Sequence, residues 1–181
     1  FAMMVVTSAF AHAEAAGARR PNIILIYTDD QAGGMTGFEG NTQVRTPHLD
    51  RLAREGTFFS RCYVPTPQCA PSRAVILTGQ YPHTNNVTTN VTSRRDGEKV
   101  PMRLRPDAVT FSARLKKAGY RCGIVGKWHL KYEDSRDPGF GFADYVATDA
   151  QPWRWQDCDV YVQGEKTKAD KFLTDWHGDR A

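Results

Sequence analysis

"QCAPSRAVILTGQYPH", residues 68–83, sets a cysteine, Cys69, directly before a Pro-Ser-Arg turn. An apolar run from Ala74 to Leu77 follows at once, and Gly79 stops it. "SRAVILTG" therefore reads as a short helix, entered from the proline-rich loop "PTPQCAPS". An arginine and a helix start both stabilise a thiolate, so one reading of Cys69 is an ordinary nucleophile. A buried, inert thiol is equally open, because no partner histidine with an oriented base is signalled nearby.

Upstream, "NIILIYTDD" is a continuous apolar run, Ile23 to Tyr27, that ends in two carboxylates, Asp29 and Asp30. Such a run reads as a buried strand of a parallel or mixed sheet, covered on both faces. A glycine-rich loop, "QAGGMTGFEGN", leads to the helix "TPHLDRLAREG". Thr46 is its expected N-cap, Pro47 opens the first turn, Leu49, Leu52 and Ala53 share a face, and Gly56 closes it. "TFFSRCYV" is β-prone.

Downstream, residues 84–106 read as exposed polar loop carrying "SRRDGEK". "TFSARLKKAG" places Phe111, Leu115 and Ala118 at helical spacing and ends at Gly119. "YRCGIVGKWHL" is a further strand running into polar residues, and after "DPGFGFADY" the pattern weakens. Alternation of strand and helix means α/β, with polar residues at the strand ends where such sheets carry their sites.

Adjacent carboxylates repel unless a positive group lies between or beside them, and a hard divalent cation is one remedy. A solvated Asp-Asp turn is the other reading. Lys127 and His129 are two residues apart, so on a continuing strand they share a side while Trp128 turns away into packing. A lone Lys-x-His is otherwise a solvated edge, and Arg73 a surface residue of a helix start.

With 181 residues and a net charge of +4, the chain is long enough for a core and only mildly basic. No Lys/Arg cluster is interleaved with aromatics, so no nucleic-acid partner is expected. No segment is apolar enough to span a bilayer, so no membrane partner is expected either. "FAMMVVTSAFAHAEA" is a short apolar run ending in Ala11-His12-Ala13, which reads as a signal-peptide remnant over residues 1–13 of an exported protein. The four cysteines, Cys62, Cys69, Cys122 and Cys158, have no zinc-like spacing, and their pairing is open. Asn86-Val87-Thr88 and Asn90-Val91-Thr92 fit the glycosylation sequon.

The string Cys69-Ala70-Pro71-Ser72-Arg73 with Leu77-Thr78-Gly79 resembles the signature of the formylglycine-dependent sulfatases, within the alkaline-phosphatase-like superfamily. The resemblance extends over Asp29-Asp30, "TPHLDRLAREG", "YPHTNNV" and "AGYRCGIVGKWHL", in that order. It implies a mixed, mostly parallel sheet sandwiched by helices, of which residues 20–181 are the N-terminal part of the catalytic domain. It also implies that a maturation enzyme oxidises Cys69 to formylglycine.

In such a family one hydroxyl of the hydrated aldehyde attacks sulfur and releases the alcohol. The other, once deprotonated, expels sulfate and restores the aldehyde. Carried over, Asp29, Asp30 and the residue-69 oxygen hold Ca²⁺, with Mg²⁺ as the alternative. Arg73 holds the hydrated aldehyde and the metal-ligand carboxylates. Lys127 binds sulfate oxygens, and His129 contacts the hydroxyls and assists turnover. His83 is read as structural. Leu130-Lys131 stands where Leu-Gly is more usual, which alters the local turn.

The implied activity is hydrolysis of a sulfate ester, on a sulfated carbohydrate. Alternatives are a phosphonate or phosphodiester hydrolase of the same superfamily, or an inactive sulfatase-like binder of anionic glycans. The family's further metal ligands, its second lysine and the histidine that protonates the leaving group are not found here. This stretch alone is therefore expected to have little or no activity.

Overall fold

The computed structural model describes residues 4–6, 20–90, 94–95, 98–99, 103–105, 107–130, 139–148 and 155–181. Two compact units result, Phe1–Val64 and Pro65–Ala181. The export-signal remnant expected over residues 1–13 lies outside the described residues except for Met4–Val6, which form a strand.

In the first unit that strand, β1 (Met4–Val6), pairs antiparallel with β2 (Ile24–Ile26). Here the sequence reading needs correction, because β2 is not a doubly covered strand. Ile24 is 63% and Ile26 51% exposed. Among the described residues its one strand neighbour is β1, and its side chains stay open to solvent.

Helix α1 (Pro47–Glu55) forms where expected, with Thr46 at the N-cap, proline in the first turn and Gly56 at its end. The Thr46 hydroxyl, however, does not cap its own helix. It donates to Asp50 Oδ1 at 2.8 Å and accepts from the Gly37 N–H at 2.8 Å. Asp50 Oδ1 also accepts from the Phe38 N–H at 3.0 Å. The glycine-rich loop after Asp30 is thereby fastened to the start of α1. "TFFSRCYV" forms no strand, and Phe58, Phe59 and Tyr63 are exposed. β propensity without a pairing partner does not make a strand.

The second unit begins with α2 (Cys69–Thr78), α3 (Pro82–Asn85) and the two-residue strands β3 (Arg94–Arg95) and β4 (Glu98–Lys99). Helix α2 starts earlier than its sequence suggests, at Cys69. Pro71 falls in the first turn, where an N–H would have no intrahelical acceptor anyway, so the ring costs the helix nothing. Gly79, at φ 66, ends it in the left-handed conformation. Helix α4 (Phe111–Lys117) is capped by the Thr110 hydroxyl, which accepts from the Ala113 N–H at 3.1 Å.

Strands β5 (Cys122–Lys127), β6 (Phe142–Thr148), β7 (Asp159–Val162) and β8 (Glu165–Lys168) form one sheet in that order, followed by α5 (Leu173–Gly178). β5 and β6 are parallel; β6–β7 and β7–β8 are antiparallel. The sheet is thus mixed and flanked by helices, as an α/β fold requires. β7 and β8 are joined by Gln163 and Gly164, both at positive φ, the two-residue turn whose twist suits a hairpin. The Gln163 side chain extends the ladder past β7, accepting from the Tyr145 N–H at 2.7 Å and donating to the Ala143 carbonyl at 3.2 Å.

One core cluster joins the face Ala70, Ala74 and Leu77 of α2 to Val87, Leu104, Trp128, Leu130 and Ala147. That α2 face repeats at i, i+4 and i+7, the stripe of a helix packed on one side. A second cluster places Leu173 and Trp176 of α5 against Cys158, Val160 and Ala169. Val87 and Leu104 are buried although residues 84–106 read as exposed loop.

Gly141 takes φ 93, and a Cβ there would lie 2.7 Å from the backbone N and Cα of Ala113. The close approach lets the Thr110 and Ser112 hydroxyls reach the Phe140 carbonyl, at 3.0 and 2.7 Å. Gly141→Ala is expected to destabilise the full-length protein by about 2–3 kcal/mol. A lowered denaturation midpoint at unchanged m-value checks it.

Candidate active site

Cys69 is the first residue of α2 and is half-buried. Arg73 lies one turn along the same helix, so the two side chains share a face beside the buried Ala70–Ala74 stripe. The Arg73 guanidinium donates from Nη1 to the Lys127 carbonyl at 2.5 Å. This bond ties the helix that carries the cysteine to the end of β5, across 54 residues of sequence. Three of the residues singled out by sequence, Cys69, Arg73 and Lys127, are thereby joined through one helix and one bond.

β5 ends at Lys127, whose cross-strand partner is Thr148. The next residue, Trp128, still donates its N–H to the Thr148 carbonyl at 2.8 Å. The chain then leaves the sheet. His129 has φ 56, in the left-handed region that non-glycine residues seldom occupy. Strand alternation therefore does not reach His129, contrary to the expectation that it and Lys127 continue one pleat. Trp128 is turned into the core as expected, and His129 is buried with it at 8% exposure. Lys127 is half-buried. An uncommon backbone conformation at a buried histidine is a local cost of the kind that collects at functional sites.

Arg73→Ala leaves the Lys127 carbonyl without its charged donor. Loss of about 1.5–3 kcal/mol of stability is expected, read as a lower denaturation midpoint of the full-length protein.

Asp29 and Asp30 belong to the first unit and follow β2 after Tyr27 and Thr28. Both are exposed, and Asp30 has φ 57. Two consecutive carboxylates are hard oxygen donors, a chemistry that fits a divalent cation. Among the described residues, no group of three or more His, Cys, Asp or Glu side chains forms a metal-holding cluster.

One polar contact at the cysteine escaped the sequence reading. Asn90 Oδ1 accepts from the Ala70 N–H at 3.2 Å, so a side chain from the loop after α3 meets the first turn of α2. Asn90 stood out in the sequence only as part of a sequon. Its sequence neighbourhood carries no sign of a contact twenty residues back. His83, read as structural, stacks on Tyr81 with ring centroids 5.9 Å apart. All four cysteines are free thiols. Among the described residues, no helix is long and apolar enough to cross a membrane.

A family model described as Sulfatase matches residues 21–178. The N-acetylglucosamine-6-O-sulfatase of Bacteroides thetaiotaomicron is 32% identical over 163 residues, covering 90% of this chain and 27% of the relative. The steryl-sulfatase of Rattus norvegicus is 42% identical over 116 residues, covering 61% of this chain and 19% of the relative. Among solved structures, BT4656 in complex with its substrate D-glucosamine-2-N,6-O-disulfate superposes with a TM-score of 0.75 at 32% identity. That match covers 90% of this chain and 30% of the other. The chain thus spans between about a fifth and a quarter of the length of these two relatives.

Proposed function

Because the chain belongs to the sulfatase family, we propose that the protein carrying it hydrolyses sulfate esters of carbohydrates. Family membership implies, in general terms, a divalent cation and a formylglycine. In this protein Cys69 is the residue that a maturation enzyme converts to formylglycine. Asp29 and Asp30 are the carboxylates that would hold the cation, Ca²⁺ in preference to Mg²⁺. When bound, the cation supplies a Lewis acid that neutralises charge on the sulfate oxygens.

The chain's own groups do the remaining work. Arg73 braces the helix start against the end of β5 and holds the residue-69 hydroxyls. Lys127 binds sulfate oxygens as a point charge. His129 contacts the hydroxyls at residue 69 and carries the proton that frees one of them for expulsion of sulfate. Export of the protein would bring it to sulfated glycan outside the cytoplasm.

The observation that supports this reading best is the bond from Arg73 to the Lys127 carbonyl, which draws two separate sequence motifs to one place. Support for a carbohydrate substrate comes from the relatives: one is an N-acetylglucosamine-6-O-sulfatase, and one solved neighbour holds a disulfated glucosamine. The test takes the full-length protein, co-expressed with a maturation enzyme. Peptide mass should show the aldehyde at position 69, and sulfate should be released from 6-O-sulfated glucosamine. An unmodified thiol in that host, or faster turnover of a phosphodiester than of any sulfate ester, would sink the proposal.

A further inference from the structure

The first turn of α2 has an unusual set of donors. Gln68 occupies the N-cap and makes no side-chain cap bond. Pro71 has no N–H to offer, and the Ser72 N–H is satisfied by the Gln68 carbonyl at 2.9 Å. The Ala70 N–H belongs to a residue that is 0% exposed and so out of reach of bulk water. A buried backbone donor must find an acceptor, and the one it finds is Asn90 Oδ1 at 3.2 Å. Asn90 thus does from twenty residues away what an N-cap side chain does locally.

The position of this bond gives it meaning. The Ala70 N–H belongs to the peptide unit that joins Cys69 to Ala70. Holding that plane restricts ψ of Cys69, and so how far the residue-69 side chain can swing at the start of the helix. The segment bearing Asn90 is itself anchored. Asn85, 2% exposed, donates to the Gln80 carbonyl at 2.9 Å and accepts from the Val87 N–H at 2.9 Å. Val87 is wholly buried in the same core as Ala70.

We propose that Asn90 is a positioning residue, which orients the residue-69 nucleophile by holding the Cys69–Ala70 peptide plane. This rests on the reading of Cys69 as the formylglycine of a sulfate-ester hydrolase. Reacting groups displaced by about 1 Å lose roughly a hundredfold in rate, so a loosened plane acts on kcat. Substrate binding through Lys127 is left nearly untouched.

The experiment compares Asn90→Ala, Asn90→Gln and Asn90→Asp in the full-length protein, with rates expressed per formylglycine-bearing molecule. Asn90→Ala should lower kcat by about tenfold or more with KM within about twofold. Asn90→Gln, which keeps the amide but displaces its oxygen, should fall likewise and serves where the alanine variant does not fold. Asn90→Asp keeps the acceptor in place and should stay within about threefold of the parent. All three lose the sequon, so a sugar cannot explain rescue by aspartate. Hydrogen exchange at the Ala70 amide should speed up in the alanine and glutamine variants only. Unchanged kcat in Asn90→Ala, equal losses in all three, or unaltered exchange would overturn the proposal. Should the parent carry formylglycine yet turn over no sulfate ester, it is the hydrolase reading that fails, and exchange still decides whether Asn90 holds the plane.

Discussion

Replacing Cys69 by alanine in the full-length protein is expected to lower kcat for sulfate-ester hydrolysis by at least about a thousandfold. The size follows from the role proposed for the position, because alanine has no atom that could attack sulfur. Cys69→Ser separates this from a merely structural effect. Its single hydroxyl can attack once, but it lacks the second oxygen needed to expel the sulfate. The serine variant should therefore gain the mass of one sulfo group on incubation with substrate and then stop. Intact-protein mass spectrometry with and without substrate reads the outcome. Multiple turnovers by either variant would show that the nucleophile lies elsewhere, whatever the motif suggests.

Trp128→Ala carries the largest stability loss expected of any substitution considered. The indole is 2% exposed and meets the rings of Phe140 and Phe142, each at a centroid distance of 6.1 Å, the latter edge-on at 84°. Truncation removes the buried ring and leaves a cavity between α2 and the sheet, at a cost of about 3–5 kcal/mol. Because Trp128 lies between Lys127 and His129, the variant should lose activity too, but for a reason visible in its folding. Urea unfolding and catalytic assays on the same preparation separate the two effects. A midpoint shift worth less than about 1 kcal/mol would mean that the indole is not a keystone of this core. Trp128→Phe, which refills most of the volume, should recover the greater part.

The helices were legible wherever their ends carried local chemistry. Thr46, Pro47 and Gly56 frame α1, and Gly119, at φ 88, follows the end of α4, as the sequence indicates. The start of α2 was not, because Pro71 reads as a helix breaker unless its place in the first turn is known. Nor was the hairpin of β7 and β8: its turn is Gln163-Gly164 rather than Asn-Gly, and β8 is the charged string Glu165–Lys168 without alternating apolar residues. Their pairing is local, Asp159 to Lys168, but neither its turn residues nor the composition of β8 carries the usual hairpin signal.

The site divides in the same way. Cys69 and Arg73 are one helical turn apart, which spacing alone reveals. The turn at His129 is a left-handed residue where continued strand was the simpler reading, and Asn90 contributes through a contact that only the folded chain creates.

The uncovered β2 has a practical consequence at the bench. Four consecutive apolar side chains, Ile23 and the three of β2, stand 55%, 63%, 38% and 51% exposed on a stretch without Pro or charge. Ribbons of that kind stack on their own copies, and a polypeptide limited to this stretch should precipitate as its concentration rises. A lysine at position 25 should act as a gatekeeper and keep such a preparation clear in light scattering.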